Sequence, residues 1–181
     1  MNSWIALGLL VVVALSILVL YLSMTAGRLD QLHKRIDLAE SALDAQLLRR
    51  SGIALELASN GLVDPATSIV LSDAAHAARV STDQSTPERD VAESTLTDAL
   101  NAALDPDDYA YLMSEPGGPE IMAELSAAVQ RVELSRRFLN DAVRACTQLR
   151  RQRAVRWFHL AGRTPWPQFR ELNDHVALPE S

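Results

Sequence analysis

The sequence predicts an all-α membrane protein, in which one N-terminal transmembrane helix precedes an up-down-up-down antiparallel helical bundle with two long and two short helices. Two observations carry this prediction. The first 27 residues contain no Asp, Glu, Lys, Arg or His, and Trp4 to Leu22 is an almost unbroken apolar run. From Arg28 onward, apolar residues recur every three or four positions, as in amphipathic helices, and strand-like alternation is not evident.

The apolar run from Trp4 to Leu22 has the length of a membrane span, because a bilayer core about 30 Å thick needs roughly 20 apolar residues. A cleaved signal peptide is the competing interpretation. It would have a basic start and a shorter apolar stretch. Basic residues follow the span and none precedes it, which predicts an outside N-terminus and a cytoplasmic domain at the cell membrane. These basic residues are Arg28, Lys34 and Arg35.

The first soluble helix continues from the anchor and is predicted to end near Asn60-Gly61, because glycine is a common stop signal. Asp64-Pro65 supplies a cap and a first-turn proline for a second helix, which is predicted to reach about Val80. Thr86-Pro87-Glu88 opens a third helix that ends before Pro106. Its predicted inward side chains are Val91, Leu96, Leu100 and Leu104.

An acidic loop is expected from Asp105 to Gly118, and a fourth helix from Pro119 to about His159. The resulting segments are an anchor at residues 1–27, a bundle at 28–160 and a C-terminal tail at 161–181 that packs partly on the bundle. The two long helices extend beyond the short pair and need another cover near the membrane. Either the tail, with Trp166, Phe169 and Leu172, or a second protomer supplies it.

Two stretches resemble the LemA-like family of membrane-anchored helical proteins from bacteria. VELSRRFLNDAVRA (132–145) is similar to the family's late helix, and LDAQLLRRSGIALELA (43–58) is similar to its first soluble helix. The chain departs from the family where Tyr-Asn pairs are usual, at Leu139-Asn140 and Cys146-Thr147. The resemblance implies an N-out anchor and a cytoplasmic helical bundle, and it supplies no catalytic residues.

Charge is unevenly distributed around the net value of −6. Residues 61–116 contain eleven acids and two arginines, whereas residues 149–181 contain six arginines and three acids. The basic end predicts a lipid-facing patch of Arg150, Arg151, Arg153, Arg156 and Arg163, since anionic lipid attracts basic residues near a membrane. The alternative is that these arginines solvate a helix end and complement its dipole. The overall acidity argues against nucleic-acid binding.

Polar residues inside the bundle form a second candidate site. A buried arginine must be paired, so Arg50 is expected to pair with Glu133 or Asp141. Such a network fixes the register of the helices or, alternatively, binds a small anion or an acidic segment of a partner. Its candidate residues are Arg50, Glu133, Arg136, Arg137, Asn140 and Asp141.

No motif for a cofactor, a metal or catalysis is recognised. The four histidines are scattered, and the acids from Asp105 to Asp108 do not follow the calcium-loop spacing. Cys146, the single cysteine, falls on an apolar helix face, which favours a buried core residue. We therefore expect no cofactor, no metal site and no catalytic residue.

The sequence favours a non-enzymatic, single-pass protein whose cytoplasmic bundle binds a protein partner or organises a membrane complex. A lipid-responsive sensory module, which reads the anionic leaflet through the basic end, is the first alternative, and a membrane-anchored hydrolase is the second. The expected partners are the bilayer, a protein and, as an open alternative, a second copy of the chain.

Overall fold

A computed structural model describes residues 2–81, 86–162 and 164–178, without the side chains of residues 2 and 3. Every regular element in those ranges is a helix and none is a strand, which confirms the all-α class. In chain order the helices of the described residues are α1 (Asn2–Ser59), α2 (Pro65–Val80), α3 (Thr86–Ala103), α4 (Pro106–Ser114), α5 (Gly118–Arg150) and α6 (Arg153–Trp157).

The chain forms two compact units, each assembled from segments that are distant in sequence. Unit 1 consists of Met1–Leu38 and Asp141–Gln168, and unit 2 consists of Ala39–Asn140 and Phe169–Ser181. The predicted division at residues 27 and 160 is a different one, because it follows charge and hydropathy rather than contacts between residues.

Unit 2 has an apolar core to which α1, α2, α3, α4 and α5 all contribute. Its fully buried leucines are spaced along these helices as amphipathic periodicity requires. Those of the main core cluster are Leu57, Leu71, Leu96, Leu100, Leu112 and Leu125. Ser68 of α2 donates a 2.5 Å hydrogen bond to the carbonyl of Ala58 and ties α2 to the end of α1.

Unit 1 contains the apolar N-terminal part of α1. Apolar side chains from Trp4 to Met24 are largely exposed. Among the described residues, α1 alone is long and apolar enough to cross a membrane, with a mean hydropathy of 3.0 over its most apolar 18 residues and none of these buried. The buried apolar side chains of unit 1 are Leu29, Ile36, Ala142, Val143, Cys146, Leu149 and Val155.

The predicted ends of the first three soluble helices are confirmed to within a few residues. α1 ends at Ser59, and Gly61 adopts a left-handed φ of 69° directly afterwards. The inward orientation predicted for Val91 is wrong, since its side chain is 67% exposed. Arg89, Asp90 and Glu93 are buried instead, so the first turns of α3 bury polar side chains where the periodicity predicted an apolar one.

The acidic stretch after Asp105 is not a loop but helix α4. Asp105 caps it, accepting hydrogen bonds from the backbone N–H groups of Asp107 and Asp108 at 3.1 and 2.9 Å. Pro106 occupies its first turn, where the missing N–H costs nothing. This is the Asp-Pro pattern that opens α2, so the same rule would have predicted α4.

The last long helix is shorter than predicted. α5 ends at Arg150, Gln152 is extended with a ψ of 139°, and α6 follows as a separate short helix. The guanidinium of Arg150 donates hydrogen bonds to the carbonyls of Thr164 and Pro165 at 2.7 and 2.6 Å. These bonds hold the chain at Thr164 and Pro165 against the end of α5. No local pattern in the sequence predicts this contact.

Candidate functional site

A fully buried arginine lies at the centre of the candidate site in unit 2. Arg50 of α1 donates to Glu93 Oε2 at 2.8 Å and to the Glu93 carbonyl at 3.1 Å. Its Nη1 donates to the hydroxyl of Thr97 at 3.0 Å. Burying a charge without partners is very unfavourable, so these bonds are what allow an arginine with 0% exposure at this position.

Two further ion pairs flank Arg50 and Glu93. Arg89 Nη1 lies 2.8 Å from Asp44 Oδ1, and Arg170 Nε donates to Asp90 Oδ1 at 2.6 Å. With Arg50 and Glu93, the cluster contains three guanidinium groups and three carboxylates, so its formal charges cancel. We call these residues the charge cluster: Arg50, Arg89, Arg170, Asp44, Asp90 and Glu93.

Burial dominates the electrostatics of Glu93. Desolvation raises the pKa of Glu93 above its ordinary value of 4.5, and the charges of Arg50, Arg89 and Arg170 offset that rise in part. Glu93 and Asp90 accept hydrogen bonds from Arg50 and Arg170, respectively, whereas Asp44 faces Arg89 as an ion pair. Charge-assisted contacts between arginine and carboxylate groups therefore hold the charge cluster together.

The C-terminal segment, which we define as residues 169–178, lies extended against α3. The side chains of Asp90 and Ser94 each accept a 2.9 Å hydrogen bond from the backbone, at Glu171 N and Asn173 N respectively. Two turns further along α3, Asn101 accepts from Ala177 N at 2.8 Å and donates to the carbonyl of His175 at 3.1 Å. In these pairs a higher residue number in α3 goes with a higher residue number in the segment, so the segment runs parallel to α3.

Helix α5 holds the other side of the C-terminal segment. Asn140 accepts from Arg170 N at 3.0 Å and donates to the Arg170 carbonyl at 3.1 Å. One turn earlier, Arg136 binds Asp174 through two hydrogen bonds of 2.5 and 2.9 Å. In these pairs a lower residue number in α5 goes with a higher residue number in the segment, so α5 runs antiparallel to the segment. We call the surface between α3 and α5 that receives this segment the groove.

The residues of the predicted polar network are only partly brought together. Arg50 is buried as expected, but its expected pairing with Glu133 or Asp141 is wrong, because Glu93 of α3 occupies its guanidinium. Glu133 instead pairs with Arg137 one turn along α5, on an exposed face. Asp141 is likewise exposed and lies 3.7 Å from Arg144. Arg136 and Asn140 face the groove, where each binds the C-terminal segment.

The predicted lipid-facing patch divides in two. Arg151, Arg153 and Arg156 are exposed, as a lipid contact requires, whereas Arg163 lies outside the described residues. Arg150 does not fit the patch, because it is buried and bonded to backbone carbonyls. Its guanidinium also lies 4.4 Å from the centre of the Trp166 ring, which is a cation–π arrangement.

The other residues singled out in the sequence lie outside the charge cluster and the groove. Trp4 is 79% exposed at the start of the apolar run, and Leu22 is half-buried near its end. Cys146 is buried, and burial raises the pKa of its thiol although the charge of Arg150 acts in the opposite direction. Among the described residues, no group of three or more His, Cys, Asp and Glu side chains is placed to hold a metal ion.

Sequence reasoning missed six charged residues of the site, together with the polar residues Ser94, Thr97 and Asn101. The charged ones are Asp44, Arg89, Asp90, Glu93, Arg170 and Asp174. One signal was present. In the C-terminal segment Arg170, Leu172, Asp174 and Val176 alternate with exposed residues, a period of two that is typical of an extended chain with one buried face. The ion-pair partners carry no comparable signal in the sequence.

Comparisons of the chain with protein-family models, with curated proteins and with solved structures found no match. The resemblance to the LemA-like family therefore stays a prediction, and the site is interpreted from its own geometry.

Proposed function

We propose that this chain is a non-enzymatic, single-pass membrane protein of LemA-like type whose helical part is a scaffold that binds a protein partner. The observation that supports the anchor is the exposure of apolar side chains from Trp4 to Met24, because water solvates such a surface poorly and lipid tails cover it well. The finer arrangement, with an outside N-terminus and a cytoplasmic up-down-up-down bundle, belongs to this proposal.

The scaffold function is supported by what the groove holds. Its polar side chains bind the backbone and the charged side chains of an extended segment, which is how recognition modules hold partner peptides. In the charge cluster, Glu93 and Asp90 accept charge-assisted hydrogen bonds from Arg50 and Arg170, which are strong and directional interactions suited to recognition. Helices that are joined by such buried pairs present this surface in one register.

Crosslinking of the intact protein, followed by detergent extraction, affinity purification and mass spectrometry, tests the proposal. We expect a protein partner in stoichiometric amount. The control is an equally tagged single-pass protein of unrelated sequence, which reveals what any anchored helix collects. Recovery of the chain with only the proteins seen in that control would contradict the scaffold function.

The orientation is tested by protease treatment of intact and permeabilised cells. We expect unit 2 to be digested only after permeabilisation, since a cytoplasmic domain is shielded by the membrane. Digestion in intact cells would place the domain outside and would contradict the positive-inside argument.

A lipid-responsive module is the second candidate. It is favoured by the exposure of Arg151, Arg153 and Arg156, together with Trp157, which is 80% exposed beside them. Basic residues at an anionic surface each contribute about 1 kcal/mol, and an exposed Trp suits the interface. Unit 1 contains both these residues and the apolar part of α1.

Lipid retention by the detergent-extracted chain distinguishes this candidate. We expect substitution of Arg151, Arg153 and Arg156 by Gln to reduce co-purified anionic lipid severalfold. The matched control replaces Arg131, Arg137 and Arg144, which are exposed arginines of α5, by Gln. Equal lipid retention by the two triple variants would reject a specific role for the basic end.

A further inference from the structure

The C-terminal segment is held in the groove in the manner of a bound peptide. It is extended, its alternate side chains Arg170, Leu172, Asp174 and Val176 are buried, and the residues between them are exposed. It is neither helix nor strand, so its backbone makes no ladder with another strand. Side chains of α3 and α5 satisfy its backbone groups instead.

The groove recognises the backbone at regular intervals. From Asp90 to Asn101 the helix α3 advances roughly 16 Å, and from Glu171 to Ala177 an extended chain advances roughly 20 Å. These lengths are close enough for one turn of helix to serve about two residues of the segment. Thr97 adds a 2.7 Å hydrogen bond to the carbonyl of Asn173. Backbone contacts of this kind favour any extended chain without regard to sequence.

The groove also selects side chains by charge. Arg170 pairs with Asp90 at one end, and Asp174 pairs with Arg136 four residues further along the segment. Between and beyond these pairs, Leu172 and Val176 are buried, and Val176 is part of the core cluster of unit 2. A ligand that fits must place basic, apolar, acidic and apolar side chains at alternate positions, since a wrong charge would face its like.

We propose that the groove is a peptide-binding site whose ligand is the C-terminal segment of a second copy of this chain, exchanged reciprocally between two copies. A second copy supplies the required side chains in the required order. Exchange creates no new type of contact, which makes it a low-cost route to a dimer.

The chain before the segment permits such an exchange. Of residues 158–168, the described ones contain turns and extended backbone but no helix. Exchange over the full length of this stretch releases the two hydrogen bonds from Arg150 to Thr164 and Pro165. Eleven residues then span at most roughly 36 Å when extended, which allows the segment to reach a neighbouring copy. The proposal relies on the proposed anchor in one respect: two anchored copies share one membrane, which raises the local concentration at which they meet.

Engineered disulfides test the exchange in the full chain. Asn173 N lies 2.9 Å from Ser94 Oγ, so cysteines at these two positions are close wherever the segment is bound. In a Cys146→Ser background, one tagged copy carries Ser94→Cys and a second copy with a different tag carries Asn173→Cys. Only a segment bound by the other copy can link them, so we expect a covalent dimer in membranes after oxidation.

The matched control carries Ser94→Cys and Asn173→Cys in the same chain and reports that this geometry forms a disulfide. If that control closes within one chain and the two single-cysteine copies stay unlinked, the segment remains on its own chain and the exchange proposal is wrong. This result would leave the scaffold proposal untouched, because the latter depends on a different protein in the affinity purification.

Charge reversal tests whether the pairing selects the ligand. Arg136→Asp in one copy and Asp174→Arg in another leave each copy mismatched with itself, whereas the exchanged pair is matched at both grooves. We expect the mixed pair to co-purify about tenfold more than two differently tagged copies of either single variant, since unmatched charges in this partly buried position are disfavoured. A single chain with both substitutions controls for tolerance of the reversed pair. Equal recovery of mixed and unmixed pairs would overturn the proposal.

Discussion

At the scale of single residues, Arg50 shows how a charge is accommodated in an apolar core. Its guanidinium has three acceptors in α3, and both Arg50 and Glu93 are almost inaccessible to solvent. Removing one partner of such a pair leaves the other charged and buried, whereas removing both takes away the need for pairing. The pair is therefore more important for specifying how α1 meets α3 than for net stability.

Arg50→Met is expected to lower the free energy of unfolding by about 3–5 kcal/mol. The variant with Arg50→Met and Glu93→Leu together is expected to lose less than the single variant. Denaturant unfolding of the chain in detergent, followed by circular dichroism, measures both. The control is Arg49→Met, because Arg49 is exposed and forms a long ion pair of 4.0 Å with Glu124. For this variant the expected change in the free energy of unfolding is below about 0.5 kcal/mol. A double variant that is less stable than Arg50→Met would contradict this account.

The pH dependence of the same variant follows from Glu93. Because burial raises the folded-state pKa of Glu93, its contribution to stability is greatest below the ordinary value of 4.5 and falls as the pH rises through the raised value. Arg50→Met removes a positive charge that holds this pKa down, so the pKa of Glu93 rises further in the variant. The variant therefore loses stability over a wider range of rising pH than the wild type does. We expect the stability difference between wild type and variant to be larger at about pH 8 than at about pH 5. A difference that is equal at both pH values would show that Glu93 does not titrate in this range.

Gly118 illustrates a different constraint, the close approach of two backbones. A Cβ atom at this position would lie 1.7 Å from the carbonyl oxygen of Leu112. We expect Gly118→Ala to cost at least about 1–3 kcal/mol, because backbone must move to relieve the overlap. Gly27→Ala is the control, as nothing lies within 4 Å of its Cβ position. Equal melting temperatures for the two variants would show that the turn between α4 and α5 adapts without strain.

At the scale of elements, the ends of helices follow from local chemistry. Asp64 and Asp105 each precede a proline, and each accepts hydrogen bonds from two backbone N–H groups of the helix that follows. Such caps act within four residues and depend on nothing distant. Periodicity is less dependable, as Val91 shows, because it reports which face is apolar and not which face a neighbouring helix covers.

Asp105→Ala is expected to destabilise the chain by about 1 kcal/mol through loss of the α4 cap. Asp107→Ala is the matched control, since Asp107 lies in the first turn and its backbone N–H donates to the cap. It should cost less, because only a favourable interaction with the helix dipole is removed. Thermal unfolding compares the two, and a larger loss for Asp107→Ala would contradict the capping role of Asp105.

At the scale of the whole molecule, α1 has two different surfaces along its length. Apolar side chains are exposed from Trp4 to Met24, whereas from Leu29 onward buried residues, most of them apolar, recur at helical spacing between exposed ones. The first part of α1 therefore suits a lipid environment, and the later part suits an interface between a protein core and water. This contrast follows from composition alone, because hydropathy decides it without reference to packing.

Val13→Arg, near the middle of the apolar run, is expected to move the protein out of the membrane fraction. A charged residue at the centre of a span costs about 2.5–3.5 kcal/mol on insertion scales. Leu48→Arg is the matched control, because Leu48 is also exposed, at 49%, but lies in unit 2. Cell fractionation measures the distribution, and equal membrane association of both variants would contradict the role of the apolar run as an anchor.

The sequence by itself determined the all-α class, the apolar run and the first three helix ends, since caps, breakers and hydropathy act between neighbours in the chain. Only the tertiary structure decided the partner of Arg50, the burial of Arg150 and the path of the C-terminal segment. Ion pairs such as Arg50 with Glu93 or Asp174 with Arg136 join residues about 40 positions apart. Their identity depends on the register between helices, which packing of the whole core sets and which no local pattern contains.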